Sequence, residues 1–375
     1  MNYHYHYYIK QSKITTFFFL LAYTTFYSFS MFGHIEGAGG ILKYSTYIGI
    51  AILIAVFLMR LRDYKAKEGI ACFTLILWTL FIGYHTGDYG FFKLTLMITA
   101  AKNIGFEDCI KYDVFLRIFT IALMFILWKA GIAPDFTSIL GATVRHSMGF
   151  RNLNHFGMLV FILVLECLYL AHLEFHLLLY VVLIAVLVFE DRIAGSRTAE
   201  VFSVFALFFA VIYSHNRELF KSGGWRIFMQ MNAPVCFILT ELSSYVFSHS
   251  ADGLMVKLNT LLSGRIYNIA YYNNLFGPTI FGVNIASGNR TLDNLYAYLI
   301  ISSGIVVFIF IMIAYIRLIY DLYMYDNVPM AVVIFLLFAY GLSERLWFQI
   351  DYNLLMLSFK QLLYHDVVQE QKIQS

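Results

Sequence analysis

Long apolar runs alternate with short polar turns from one end of the chain to the other. Apolar windows of roughly bilayer length centre on residues 15–33, 42–59, 69–86, 90–101, 113–129, 155–172, 175–190, 197–213, 230–248, 295–316, 328–341 and 352–364. This pattern predicts about twelve membrane-spanning helices, with 90–101 and 352–364 short for a full crossing. Two polar stretches are longer than a tight turn: Gly131–Asn154 and roughly Ser250–Asn294. The second has room for a short amphipathic helix and a turn around Phe276-Gly277-Pro278. Lys10 and Lys13 ahead of the apolar run from Thr15 to Met31 resemble a signal peptide. With no small-residue cleavage site and further spans behind it, the segment reads as an uncleaved first helix.

Composition narrows the class. Sixty per cent of the 375 residues are hydrophobic and only 13% are charged, with a mean hydropathy of +0.71. A soluble domain needs far more polar surface, so the expected fold is all-α: one polytopic membrane helix bundle over residues 1–375. Cys72, Cys109, Cys167 and Cys236 stand singly, which indicates neither a disulfide frame nor a zinc site. His4 and His6 lie among tyrosines without ligand partners, so no metal site is expected. There is no P-loop and no dinucleotide fingerprint, hence no expected nucleotide cofactor, and nothing suggests a nucleic-acid partner.

Lysine and arginine placement orients the chain. The N-terminus, the Arg60–Lys67 and Lys102–Lys111 turns, the Arg217–Arg226 loop and the C-terminus fall on one side. Taken as cytoplasmic, that side holds both termini and most of the lysines. The opposite face receives Arg145, Arg151, Arg192, Arg197, Arg265, Arg290 and Arg345, but only Lys43, Lys93, Lys129 and Lys257. Arginine is favoured where a planar fork grips phosphate or carboxylate, so the outer face is expected to hold an anion. Charge is expected to gather at that face and not at mid-depth.

Four outer segments carry the candidate chemistry. In the Arg145–His155 stretch, Arg145 and Arg151 suit a diphosphate, Asn152, Asn154 and His155 suit sugar hydroxyls, and Gly149 permits a tight turn. The plain alternative is a connector whose arginines meet lipid headgroups. In Asp191–Thr198, Ser196 is a candidate helix cap and Arg197 a further anion ligand, unless Glu190, Asp191 and Arg192 merely pair among themselves. In the long loop, Gly264 makes room beside Arg265, while Asp293 is either a general base or the partner that orients Arg265. Finally, Glu344 sits at a helix end where partial burial raises a carboxyl toward a useful base, with Asn353 as a further sugar ligand. A snorkelling Glu344–Arg345 pair is the bland reading.

The ordered segments RHSMGFRNLNHFG, AGSRTA, LLSGRIYNI with LFG, DNLYAYLIISSGI and GLSER resemble the Wzy-type polysaccharide polymerases of the O-antigen ligase and polymerase superfamily. The resemblance runs from about residue 95 to about 360. Leu153 stands where relatives often carry proline, and Ser263 where threonine is common. The resemblance implies a metal-independent glycosyltransferase of the cytoplasmic membrane, with its site outside. It further implies a substrate of undecaprenyl pyrophosphate carrying an oligosaccharide repeat, and work alongside a chain-length regulator and a flippase. By position it assigns Arg145, Arg151, Arg197 and Arg265 to pyrophosphate, and leaves Glu344 and Asp293 as candidate bases. A lipid-linked oligosaccharide flippase and a ligase of finished polymer are the competing expectations.

Overall fold

The computed structural model describes residues 2–140, 143–250, 253–346 and 349–364. The chain is mostly helical, at 77%. Six helices are long and apolar enough to cross a membrane: α1 (Asn2–Phe32), α2 (Gly39–Met59), α3 (Ala66–Thr86), α6 (Leu153–Leu170), α8 (Arg197–His215) and α14 (Ile305–Met324). Between them lie α4 (Gly90–Ala100), α5 (Phe106–Lys129), α7 (Leu177–Ile193), α9 (Arg217–Lys221) and α10 (Gly223–His249). The long loop supplies α11 (Gly253–Leu261) and α12 (Arg265–Leu275), followed by α13 (Leu295–Tyr298), and α15 is Val328–Tyr340. The observed class is therefore a helical bundle with six helices fit to cross a membrane.

Burial sorts these helices. Of the span window on α6, 78% is buried inside the protein, against 22% for α2. So α6 lies at the centre, while α2 presents Ile41, Tyr44, Ile48 and Leu58 outward, as a lipid-facing helix does. On α15 every residue except Ala339 is buried, which makes it a second central element.

Polar bonds join several of the connections between helices. Arg60 reaches the Lys102 carbonyl, Lys102 pairs with Glu68, and Lys360 reaches the Ile104 carbonyl. Arg217 pairs with Glu174 and Lys221 with Asp326. Apart from Lys360, which lies within the 352–364 window, these residues are on turns expected to face inward. At the other end His34 Nε2 meets the Gly149 carbonyl at 2.6 Å, and Lys93 pairs with Asp351 at 2.7 Å. In these pairs, turns expected on one side bond to one another.

Four expectations need correction. The window 295–316 is not one helix: after α13 comes a wide π turn, Leu299–Ser303, and the chain breaks at Gly304 (φ +92°) before α14. The segment 279–283 lies along the break, where Ile305 N–H donates to the Thr279 carbonyl (2.8 Å) and Val283 N–H to the Ile301 carbonyl (3.1 Å). Irregular backbone inside a bundle is tolerated when neighbours satisfy it in this way. Second, 352–364 is not an α-helix; Leu354–Leu362 winds as a 3-10 turn, buried against α4. At ~1.5 Å per α and ~2.0 Å per 3-10 residue, Leu295–Ser303 and Leu354–Leu362 each fall well short of a ~30 Å hydrocarbon layer, whereas α14 alone is long enough.

Third, the 131–154 loop is not only turn: Thr137–Leu140 (β1) and Thr143–His146 (β2) pair antiparallel, with Ser138 opposite Arg145. Asp135 closes the base of this hairpin, accepting Ser147 N–H (3.0 Å), Met148 N–H (3.3 Å) and His146 Nδ1 (2.6 Å). Fourth, charge does not gather only at the surface. Asp113 and Arg117 on α5 and Glu166 on α6 are wholly buried together. Arg117 donates to Asp113 (2.8 Å) and to both Glu166 oxygens (3.3 Å each). Asp113 also accepts the Tyr23 hydroxyl (2.7 Å) and Leu354 N–H (3.4 Å).

The break at Gly304 gives a sharp test. A Cβ there would lie 2.4 Å from Gly282 N and 2.6 Å from the Ile280 carbonyl oxygen, in a backbone region that only glycine adopts freely. Gly304→Ala is expected to cost at least about 3 kcal/mol. Gly40→Ala, where a Cβ meets nothing within 4 Å, should be close to neutral. Thermal unfolding of the two purified variants separates them; equal unfolding temperatures would contradict the packed break.

Candidate functional site

Four chain segments meet where the outer-expected ends of α6, α8 and α12 approach the turn after α15. Each is placed by local chemistry. Asn152 begins α6 as its N-cap, its side chain accepting His155 N–H at 2.9 Å, which sets Asn154 in the first turn. Gly195 (φ +55°) turns the chain between α7 and α8, so Arg197 and Thr198 open α8. Gly264 (φ +82°) precedes Arg265 at the start of α12. Glu344 lies just past α15, in a turn fixed from α13: Leu295 N–H donates to the Gly341 carbonyl at 2.8 Å.

Arg265 and Glu344 form the centre. Arg265 Nη2 donates to Glu344 Oε1 at 2.6 Å and Nη1 to Thr198 Oγ1 at 3.2 Å. Asn154 Nδ2 donates to the same carboxylate oxygen at 3.4 Å. The two charged side chains are only 11% and 9% exposed, so their attraction is weakly screened. Burial pushes the Glu344 carboxyl up to about 7, with Arg265 pulling against the rise and the nearby Asp293 adding to it. Asp293 itself is half-buried. It was a candidate to orient Arg265, but Glu344 does that.

A second pair of arginines flanks this centre. Arg145 Nε reaches the Ala194 carbonyl beside Gly195. Its guanidinium lies within the field of Arg197, Glu190 and Glu200. Thr198, held by Arg265, follows Arg197 directly, so Arg145, Arg197 and Arg265 bracket the start of α8. Two local expectations fail here. Ser196 makes no side-chain cap; instead its N–H donates to Glu190 Oε1 at 2.9 Å, and Glu190 turns inward. The bland Glu344–Arg345 pair does not form either, because Arg345 lies over the Tyr298 ring at 4.7 Å.

The remaining assigned residues sit elsewhere. Arg151 is exposed and makes no ion pair among the described residues. His155 is buried, its ring 5.9 Å from that of Phe150. Asn353 is fully buried and donates to the Leu346 carbonyl at 3.4 Å, tying together the turn that carries Glu344. Of the four residues assigned to sugar, Asn154 alone reaches the Glu344 carboxylate.

Sequence reasoning missed Asn294. It donates to Thr240 Oγ1 (3.1 Å) and to the Leu342 carbonyl (2.8 Å), and accepts Ala297 N–H (2.9 Å) as the cap of α13. It thus clamps the Glu344 turn to α10. A cap residue directly before an apolar run was the available signal.

Chemically, the cluster offers a mostly buried carboxyl poised near neutrality beside a guanidinium with donors to spare. An arriving anion can compete with Glu344 for Arg265, and losing that partner leaves the carboxylate available as a base. No family model, no curated protein and no solved structure matches this chain.

Proposed function

We propose that the chain is a polysaccharide polymerase of a bacterial cytoplasmic membrane, joining oligosaccharide repeats carried on undecaprenyl pyrophosphate. The observation that carries this reading is the convergence of Asn154, Thr198, Arg265 and Glu344 from four distant segments, each within a motif that supports the resemblance. In this reading the chain crosses the membrane about twelve times, with both termini cytoplasmic and the Glu344 cluster outside.

The chemistry follows from the groups present. The donor's pyrophosphate takes up the unused donors of Arg265, assisted by Arg145 and Arg197, which stabilises charge as the leaving group departs. The acceptor hydroxyl oxygen bonds to the donor's anomeric carbon while the bond from that carbon to the pyrophosphate oxygen breaks. The hydroxyl proton passes to Glu344. Bond energy in the activated lipid drives the reaction, so neither a nucleotide nor a metal enters the balance. Asn154 is placed to orient a sugar hydroxyl beside the carboxylate.

A transporter of the same lipid is the second reading, favoured by the buried Asp113–Arg117–Glu166 cluster, since charges within spans often mark transport paths. Purified protein in liposomes, given the lipid-linked repeat without nucleotide or metal, distinguishes the two. A ladder of longer saccharides is expected. Movement of the lipid across the bilayer without new glycosidic bonds would sink the polymerase.

A further inference from the structure

A cavity of about 900 Å³ opens beside the Glu344 turn and takes no part in the cluster described above. Its walls are α2, through Lys43 and Tyr47, and the end of α3, through Leu80. Lys93 on α4 lies on its floor, and Arg345 and Asp351 close it from the turn after α15. Consecutive side chains of that turn diverge: Glu344 points to Arg265, while Arg345 enters the cavity above Tyr298.

Two features define what fits. The first is charge. Lys43, Lys93 and Arg345 outnumber the carboxylates Asp88 and Asp351 in the lining. Lys93 is spent on Asp351 and Asp88 accepts Gly90 N–H, whereas Lys43 and Arg345 make no ion pair among the described residues. The second is the side opening. α2 and α3 each pack on α4 but scarcely touch each other, and both Tyr47 and Leu80 at the gap are exposed. A cation-lined chamber of ligand size with an open flank between two apolar helices admits a phosphate whose apolar tail stays between them.

We propose that this cavity is a second site for a lipid-borne phosphate, entered sideways between α2 and α3. Resting on the polymerase reading, its occupant is the second lipid-linked substrate: joining two carrier-bound units requires two phosphate seats, and the arginine cluster at α8 supplies one. Arg345 and Glu344, adjacent in sequence, then set the two occupants side by side. Bulk anionic phospholipid carries the same chemistry and is the competing source.

The test titrates farnesyl diphosphate into the full-length protein in phosphatidylcholine nanodiscs and counts bound equivalents. Two are expected. Lys43→Gln combined with Arg345→Gln should weaken one of them about 100-fold, since two charge-assisted contacts are lost. Unchanged binding in that double variant overturns the cavity site. Arg265→Gln should weaken the other equivalent and keep this one; if it keeps both, the arginine cluster fails while the cavity stands, so the two readings fail separately. Displacement of the cavity equivalent by an equal mole fraction of phosphatidylglycerol would reject a substrate seat in favour of bulk lipid. Resistance to that competitor supports the substrate.

Discussion

Replacing Arg265 by lysine is expected to lower polymer formation at least about 100-fold, the usual cost of losing a donor aimed at developing charge. A lysine keeps the charge but cannot hold Glu344 and Thr198 at once through a planar fork. Glu344→Gln should be as severe and should also change the pH dependence. Because burial places the Glu344 carboxyl at about 7, activity should rise with pH up to about 7 and level off above it. Asp293 contributes to that raised value, so Asp293→Asn is expected to move the rising limb to lower pH while sparing the plateau. If Asp293 were the base, its loss would remove the limb altogether. The same shift has a stability side. The folded carboxyl binds its proton more tightly than the ordinary value of 4.5, so stability is expected to fall as pH climbs from about 4.5 through about 7. Unfolding temperatures of Glu344→Gln should lose that slope. A glutamine variant that retains both the limb and the slope would show that another group titrates.

The largest effect on folding is expected at Arg117. Arg117→Met strands Asp113 and Glu166 in the interior, and breaking a buried pair costs about 3–5 kcal/mol. The loss should be far from additive. Combining Arg117→Met with Asp113→Asn and Glu166→Gln removes every charge together and is expected to recover much of the stability. Thermal unfolding of the purified variants reads both results. A single variant as stable as the parent would mean that the cluster is not held as the bonds at 2.8 and 3.3 Å indicate.

Much of this arrangement was legible in the chain, and the exceptions have physical reasons. Apolar windows located the helices because each lipid-facing or core-facing run must satisfy its own backbone. The break at Gly304 escaped notice because hydropathy is continuous through it; only the approach of 279–283 makes it stable. Arg265 and Glu344 were expected as neighbours around one site, but their direct pairing was not, since spacing along the chain does not say which side chain a loop turns toward another. Ser196 read as a cap because its residue type is right, yet Glu190 already occupied its backbone N–H. Asp113 and Arg117 were passed over within an apolar window. One turn apart on a helix, such a pair looks like surface charge until the neighbouring α6 is known to bring Glu166 against it.

That same spacing bears on how the protein is made. The Leu354 N–H that completes the bonding of Asp113 lies 241 residues further along the chain, and Glu166 is 49 residues beyond Arg117. Both partners therefore lie on segments that follow α5 in the chain. Asp113 and Arg117, at i and i+4, can neutralise each other on the isolated helix before either later partner arrives. Glu166 joins them where α6 packs against α5. With the acid and the base one turn apart on a single helix, that first pairing needs nothing from the rest of the chain.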